Sequence, residues 1–235
     1  MDNRELRLRF LELSTPLIAD ACLRLGLGVR QAPPGILPLR EMDRVAGRVR
    51  PVRHFGSVDI FIKAVWSAAP GSVLTIDNAG RLDEGCIGDL ITLEAQAAGI
   101  AGIVLWGAYR DASEVLATGL PVFAYGTSPA GPQRLDKVEP GALDSARFGA
   151  FAVGLDDVVF ADRDGALFVE EARVEEVLSG AQAIRTRESA QAQALRAGRT
   201  LREQLRFDEY WEARTRDPEY SFRRHLERLG GAIEV

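Results

Sequence analysis

The chain has 235 residues, is 46% hydrophobic and 27% charged, and carries a formal net charge of -5, enough to bury a substantial core as one large domain or one domain with appendages. The acidic balance gives no global basic field for nucleic acid, and its two cysteines, Cys22 and Cys86, cannot build a disulfide framework or a zinc site. No apolar run approaches the ~20 residues of a membrane span, and MDNRELRLRF lacks a signal-peptide core, so a cytoplasmic protein with neither membrane nor nucleic-acid partner is expected.

Residues 4–27 carry two helix patterns broken at Ser14-Thr15-Pro16, where Ser14 or Thr15 can cap and Pro16 suits a first helical turn. Residues 29–42 are proline-rich and irregular, and Arg44–Val52 alternates as a half-buried strand does. His54 follows it, in a setting more usual for a surface or interface residue than for a catalyst. Ser57–Trp66 predicts a short helix and Ser72–Asp77 a buried strand. Residues 78–85 then read as a loop of small residues whose main-chain N–H groups can approach an anion.

The rest of the chain is organised around Glu84–Ala124, EGCIGDLITLEAQAAGIAGIVLWGAYRDASEVLATGLPVFA. A helix starts near Gly88, a strand covers Ala101–Trp106, and a second helix leads to a strand at Pro121–Tyr125. Asp89 opens the first helix, and Arg110 and Asp111 stand where the following strand must end. One helix and one strand between them return the chain to the same edge of a parallel sheet. Both carboxylates and the guanidinium therefore meet at the carboxyl ends of the strands, where open α/β sheets bind ligands.

Such a set suits a metal-assisted carbonyl reaction. Asp111 could hold Mg²⁺ directly and Asp89 through a water, because this hard cation takes few protein carboxylates. The N–H groups of the 85–90 loop (Gly85, Cys86, Ile87, Gly88, Asp89 and Leu90) would hold the carboxylate of a 2-oxo acid. Arg110 would hydrogen-bond the keto oxygen as it gains charge, stabilising an enolate. The plain alternative is an ordinary Arg–Asp pair with an aspartate complementing a helix dipole. Nothing pairs Cys86 with a histidine as a catalytic thiol needs. No GxGxxG, GxxxxGK[ST], GxSxG or HExxH motif offers another chemistry.

Downstream, residues 126–141 read as a loop, Phe148–Gly154 and Val158–Asp162 as strands, and Asp162-Arg163-Asp164-Gly165 as a hairpin turn returning through Ala166–Val169. Asp162 and Asp164 are therefore expected to be turn residues. A helix follows from Glu171 to about Gly198, then another from about Thr200 through Tyr210-Trp211. The aromatic tail Asp217–Val235 has the look of an oligomer clasp. The expected organisation is an α/β catalytic domain over 1–170 and a C-terminal helical segment over 171–235 that packs on a neighbouring subunit.

The segment GDLITLEAQAAGIAGIVLWGAYRD, with TPLIADAC and VLTIDNAG before it and VVFADRDGALFV after it, resembles the regulator of RNase E activity A-like proteins over roughly residues 12–200. These include the class II pyruvate aldolases acting on 4-hydroxy-4-methyl-2-oxoglutarate. The resemblance implies a swivelling-type β/β/α sandwich in trimers or hexamers, with sites between subunits. It implies Mg²⁺ or Mn²⁺ on Asp111, Asp89 on a metal-bound water, Arg110 on the pyruvate moiety, and catalytic Glu188 arriving from a neighbour's helix. The implied reaction cleaves a 4-hydroxy-2-oxo acid to pyruvate, with oxaloacetate decarboxylation beside it. The alternative within the family is a non-catalytic protein that binds a ribonuclease. The tail from about Gly198 departs from the shorter members.

Overall fold

The fold is set by strands that are apolar on both faces, which only a sheet covered on both sides can accommodate. A computed structural model describes residues 1–229; positions 230–235 of the expected tail lie outside the described residues. Helices α1 (Asn3–Leu11) and α2 (Thr15–Arg24) lead to the short strands β1 (Arg30–Gln31) and β2 (Leu37–Pro38). Then come β3 (Val45–Arg53), α3 (Asp59–Trp66), β4 (Val73–Gly85), α4 (Asp89–Ala97), β5 (Gly102–Tyr109), α5 (Ala112–Thr118), β6 (Val122–Ala124) and β7 (Gly126–Thr127). Four more strands follow: β8 (Ser145–Phe148), β9 (Phe151–Gly154), β10 (Asp157–Asp162) and β11 (Gly165–Glu170). A 3₁₀ turn at Glu171–Arg173 opens the long α6 (Val174–Arg196), followed by α7 (Leu201–Gln204), α8 (Phe207–Arg216) and α9 (Phe222–Arg228).

The main sheet runs β1-β11-β10-β3-β4-β5-β6-β2, with β7 beside β5. Its centre is parallel, from β3 through β6, and its two flanks are antiparallel. Period-2 alternation divides the core between the faces. On one face Leu74, Ile76, Ile103 and Leu105 pack with Phe61, Ile91 and Ala95 of α3 and α4. Farther along that face Val158, Phe160, Leu167 and Ala46 pack with residues of α1, α2 and α6. On the other face Val49, Val73, Val104 and Phe168 meet Phe148 and Val153 of the β8–β9 hairpin. The result is helices, a large mostly parallel sheet and a small second sheet, the expected β/β/α layering.

Three expectations change. Residues 78–85 are not a loop: β4 continues to Gly85, with register shifts at Asp77/Arg81 and Arg81/Gly85. The shifts absorb the extra residues through positive φ at Ala79 (52°) and Gly80 (69°), and Gly107 on β5 leaves room for Asn78, whose Cβ would lie 2.9 Å from an added methyl. Phe148–Gly154 is not one strand but the turn and arms of β8–β9, because Gly149 adopts φ 66°. The helix expected from Thr200 through Trp211 breaks at Arg206, in the left-handed region.

The cap of α2 also differs. Ser14 occupies the N-cap position but makes no side-chain bond there. Instead the Thr15 N–H and hydroxyl donate to the Asp162 carboxylate at 2.8 and 2.6 Å. Asp162 also accepts the Asp164 N–H at 3.0 Å, so it is the turn residue expected, with a long-range capping role added.

Candidate functional site

The parallel centre ends beside an open cleft of about 830 Å³, lined among others by residues 85–91, Arg110 and Asp111, a size usual for small-ligand sites. Asp89, Arg110 and Asp111 are thus brought together, as the strand–helix–strand reading requires. The bonds that join them are local. Cys86 N–H donates to Ala108 O at 3.0 Å and Arg110 N–H to Ile87 O at 2.9 Å, fixing the end of β5 against the loop. The Arg110 Nε lies 3.3 Å from Asp111 Oδ2, and both side chains are open to solvent at 48% and 38%.

Asp111 is the unusual residue. It stands at the N-cap of α5, where an aspartate normally accepts a hydrogen bond from the first turn, yet it makes no such bond. Its backbone is left-handed, φ 57° and ψ 49°, a conformation that L-residues adopt at a penalty and that concentrates at functional sites. The carboxylate turns back over Gly88, where an added Cβ would collide with it. Gly131 is pressed as closely against Arg110, whose Nη1 would lie 2.8 Å from an added methyl. Glycine at both places lets backbone approach the charged pair closely while those side chains keep this arrangement.

The amides of residues 85–90 divide into two groups. Gly85 N–H donates to Ala130 O at 2.7 Å, Cys86 to Ala108 O, and Leu90 to Asp89 Oδ1 at 2.8 Å. Those three residues line the cleft, but their N–H groups are already engaged and cannot hold a substrate carboxylate in this arrangement. Among the described residues, the N–H groups of Ile87, Gly88 and Asp89 have no backbone or side-chain acceptor, and they belong to the loop and first turn of α4, where the helix end favours an anion. The anion cradle is therefore shorter than the sequence suggested. Burial raises the Cys86 thiol well above its ordinary value, with the nearby Glu84 charge adding to the effect, which makes it an inert wall residue.

Glu188 lies on α6 and does not line the cleft of its own chain. His54 is buried: its side chain is 1% exposed and its ring stacks on Phe61 with centroids 5.0 Å apart. Its Nδ1 lies 2.9 Å from Asn78 Oδ1. Burial lowers its pKa despite the opposing hydrogen bond to Asn78, and the ring forms part of the cleft wall. The sequence reading did not find its neighbour Glu84, which is 3% exposed and bonded by Arg134 at 2.9 Å. Nothing in the sequence marked it out, because its neighbours Arg81 and Asp83 are also charged and residues 81–83 are not buried.

Whether this set fits a divalent metal follows from its donors. Asp111 offers an open carboxylate with one ion-pair partner, Asp89 lines the same cleft, and the one soft donor there, Cys86, is buried and held as the thiol. Among the described residues no group of three or more His, Cys, Asp or Glu could form an all-protein cage. One or two carboxylates on an open edge fit Mg²⁺ or Mn²⁺, which keep several waters.

A central parallel sheet with an Arg–Asp pair and a glycine-bearing loop at its carboxyl edge is an α/β protein of the open-sheet class, with the cleft where that class binds ligands. The chain belongs to the RraA-like family (Aldolase/RraA), whose pattern matches residues 15–168. It is 29% identical over 188 residues, 80% of this chain and 87% of the relative, to a Halalkalibacterium halodurans protein named "Putative 4-hydroxy-4-methyl-2-oxoglutarate aldolase". It is similar to RraAS2 of Streptomyces coelicolor, titled an unusual member of the RNase ES inhibitor RraA family, with TM-score 0.72, 26% identity and coverage of 82% of this chain and 99% of that one. Protein DlpA of Legionella pneumophila is 35% identical over 142 residues, 60% of this chain but 23% of that longer protein. The family therefore spans aldolases and ribonuclease inhibitors. No helix of the described residues is long and apolar enough to cross a membrane.

Proposed function

We propose that this protein is a divalent-metal-dependent carbon–carbon lyase that cleaves a 4-hydroxy-2-oxo acid to pyruvate through an enolate, and decarboxylates oxaloacetate at the same half-site. The observation that carries this reading is Asp111, left-handed at a helix N-cap yet turned from the cap towards Arg110 and Gly88. A structural aspartate would gain by capping; this one forgoes about 0.5–2 kcal/mol of cap energy.

The free N–H groups of Ile87, Gly88 and Asp89 bind the substrate carboxylate. Arg110 donates to the keto oxygen and stabilises the charge that collects there as the bond to C4, or to the departing CO₂, breaks. Asp111 would hold Mg²⁺ or Mn²⁺ directly and Asp89 through a water, and the ion when bound supplies Lewis-acid polarisation of the keto group. The cleft is open on the acceptor side, and a second subunit of a trimer or hexamer would close it, with its Glu188 as the contributed acid. A cytoplasmic location accords with small 2-oxo acid substrates.

The competing reading, a ribonuclease-binding regulator, is favoured by the likeness to RraAS2. The two separate in one assay: pyruvate release from oxaloacetate with Mg²⁺ or Mn²⁺, then with EDTA, for wild type and Arg110→Ala. The lyase reading expects metal-dependent release that falls at least 100-fold in the variant. No release from oxaloacetate or from 4-hydroxy-4-methyl-2-oxoglutarate by the wild type would favour the regulator.

A further inference from the structure

We propose that Glu84 and Arg134, which hold no substrate, are positioning residues that latch the 128–136 segment over the cleft and thereby fix Arg110. The proposal rests on the lyase reading for its functional half and on geometry alone for its mechanical half.

Glu84 is the last side chain before the cleft-lining glycine Gly85 and is 4% exposed. Arg134 reaches it with Nε at 3.2 Å from both oxygens and with Nη2 at 2.9 Å. The same Nη2 donates to Asn78 Oδ1 at 2.9 Å, and Nη1 pairs with Asp136. One guanidinium therefore ties the end of β4 to the 128–136 segment through a planar fork, an arrangement that lysine cannot copy. The Arg134 carbonyl packs against Gly56, which is left-handed at φ 101° and has no room for a Cβ. Asp136 N–H donates to Phe55 O at 2.8 Å.

The segment so anchored touches the reactive residues directly. Ser128 N–H donates to Tyr109 O at 2.8 Å and Ala130 O accepts the Gly85 N–H. Gly131 lies close against the Arg110 guanidinium, and Pro132 lines the cleft. Arg110 itself is 48% exposed and has one ion-pair partner, Asp111. Its placement therefore depends on the backbone behind it, and that backbone is held by the latch.

The test uses the full chain without substrate, then with Mg²⁺ and oxalate, a planar dianion resembling the pyruvate enolate. In Glu84→Gln and Arg134→Met, hydrogen exchange at the Gly85, Ser128 and Asp136 amides should accelerate at least 10-fold, while amides in the α2-packed half of α6 keep their wild-type rates. Oxalate should bind these folded variants at least 10-fold more weakly, and Arg134→Lys should fall between them and wild type. A merely structural pair would lower the melting temperature and leave the oxalate affinity of the folded protein unchanged; that result overturns the proposal, as does unchanged exchange at the three amides. If wild type itself fails to bind oxalate, the lyase reading is what suffers, and the exchange rates still decide whether the latch holds the segment.

Discussion

Glu84 and Asp111 are both carboxylates at strand ends, a few residues from the same cradle glycines, yet their surroundings are opposite. Glu84 is walled in, with Arg134 and Arg81 within ion-pair distance and His54 beside it. Asp111 is open, strained and nearly unpartnered. A buried carboxylate must be fully paired or it raises the energy of the fold. An open carboxylate with unused oxygen capacity contributes little to stability and is available to a ligand. The lesson is that these two carboxylates divide by partners: Glu84, buried among Arg134, Arg81 and His54, holds the framework, and Asp111, with one partner, faces the cleft.

The comparison breaks most visibly with one truncation on each side. Glu84→Ala leaves Arg134 without its buried partner and should destabilise the fold by about 3–5 kcal/mol, roughly 6–20 °C in melting temperature for a chain of this size. Arg110→Ala removes a half-exposed pair and should move the melting temperature by only a few degrees, while turnover collapses. Calorimetry beside the pyruvate assay reads both; equal stability losses would undo the sorting.

A smaller effect should come from His54. Burial lowers its pKa beneath the ordinary value near 6.5, so as pH falls below about 6.5 the unfolded chain takes up a proton that the folded chain refuses. Stability from this group is therefore complete above pH ~6.5 and declines below it until the folded-state value is passed, by less than about 1.4 kcal/mol per pH unit. Urea midpoints at pH 7.5 and 5.5 should differ less in His54→Gln than in wild type. Glu84, Arg134, Asp136 and Asn78 face the ring and remain in both proteins.

Asp111→Gly sharpens the contrast from the other direction. It relieves a left-handed residue and should raise stability by a few tenths to about 1 kcal/mol, while metal-dependent turnover is lost. A variant that is both less stable and fully active would remove Asp111 from the site. The least effect is expected from deleting everything after Gly198. The aromatic residues Phe207, Tyr210, Trp211, Tyr220 and Phe222 pack chiefly on one another, so the α/β portion should melt within a degree or two of the full chain.

The layered fold and the meeting of Asp89, Arg110 and Asp111 were legible in the sequence because hydrophobic period and glycine joints are local signals. The extended β4 was not, since bulges at Ala79 and Gly80 disguise a paired strand as a loop, and only the partner β5 reveals it. The narrowing of the cradle was hidden for a similar reason: whether the N–H groups of Gly85 and Cys86 are free depends on Ala130 and Ala108, which are remote in sequence. The latch was invisible because Glu84 and Arg134 lie fifty residues apart. The Asp162 turn was read correctly, but its cap on α2 spans 147 residues and no spacing rule could supply it.

That cap bears on how the molecule comes into being. The first turn of α2 is completed by a carboxylate made late in synthesis, and β1 pairs with β11 through Arg30 and Phe168. Segments near the two ends of the family-matching span, 15–31 and 162–168, are thus stitched together. A contact between such distant positions forms only after a long loop has closed, so α2 should gain its final stability in the last folding step.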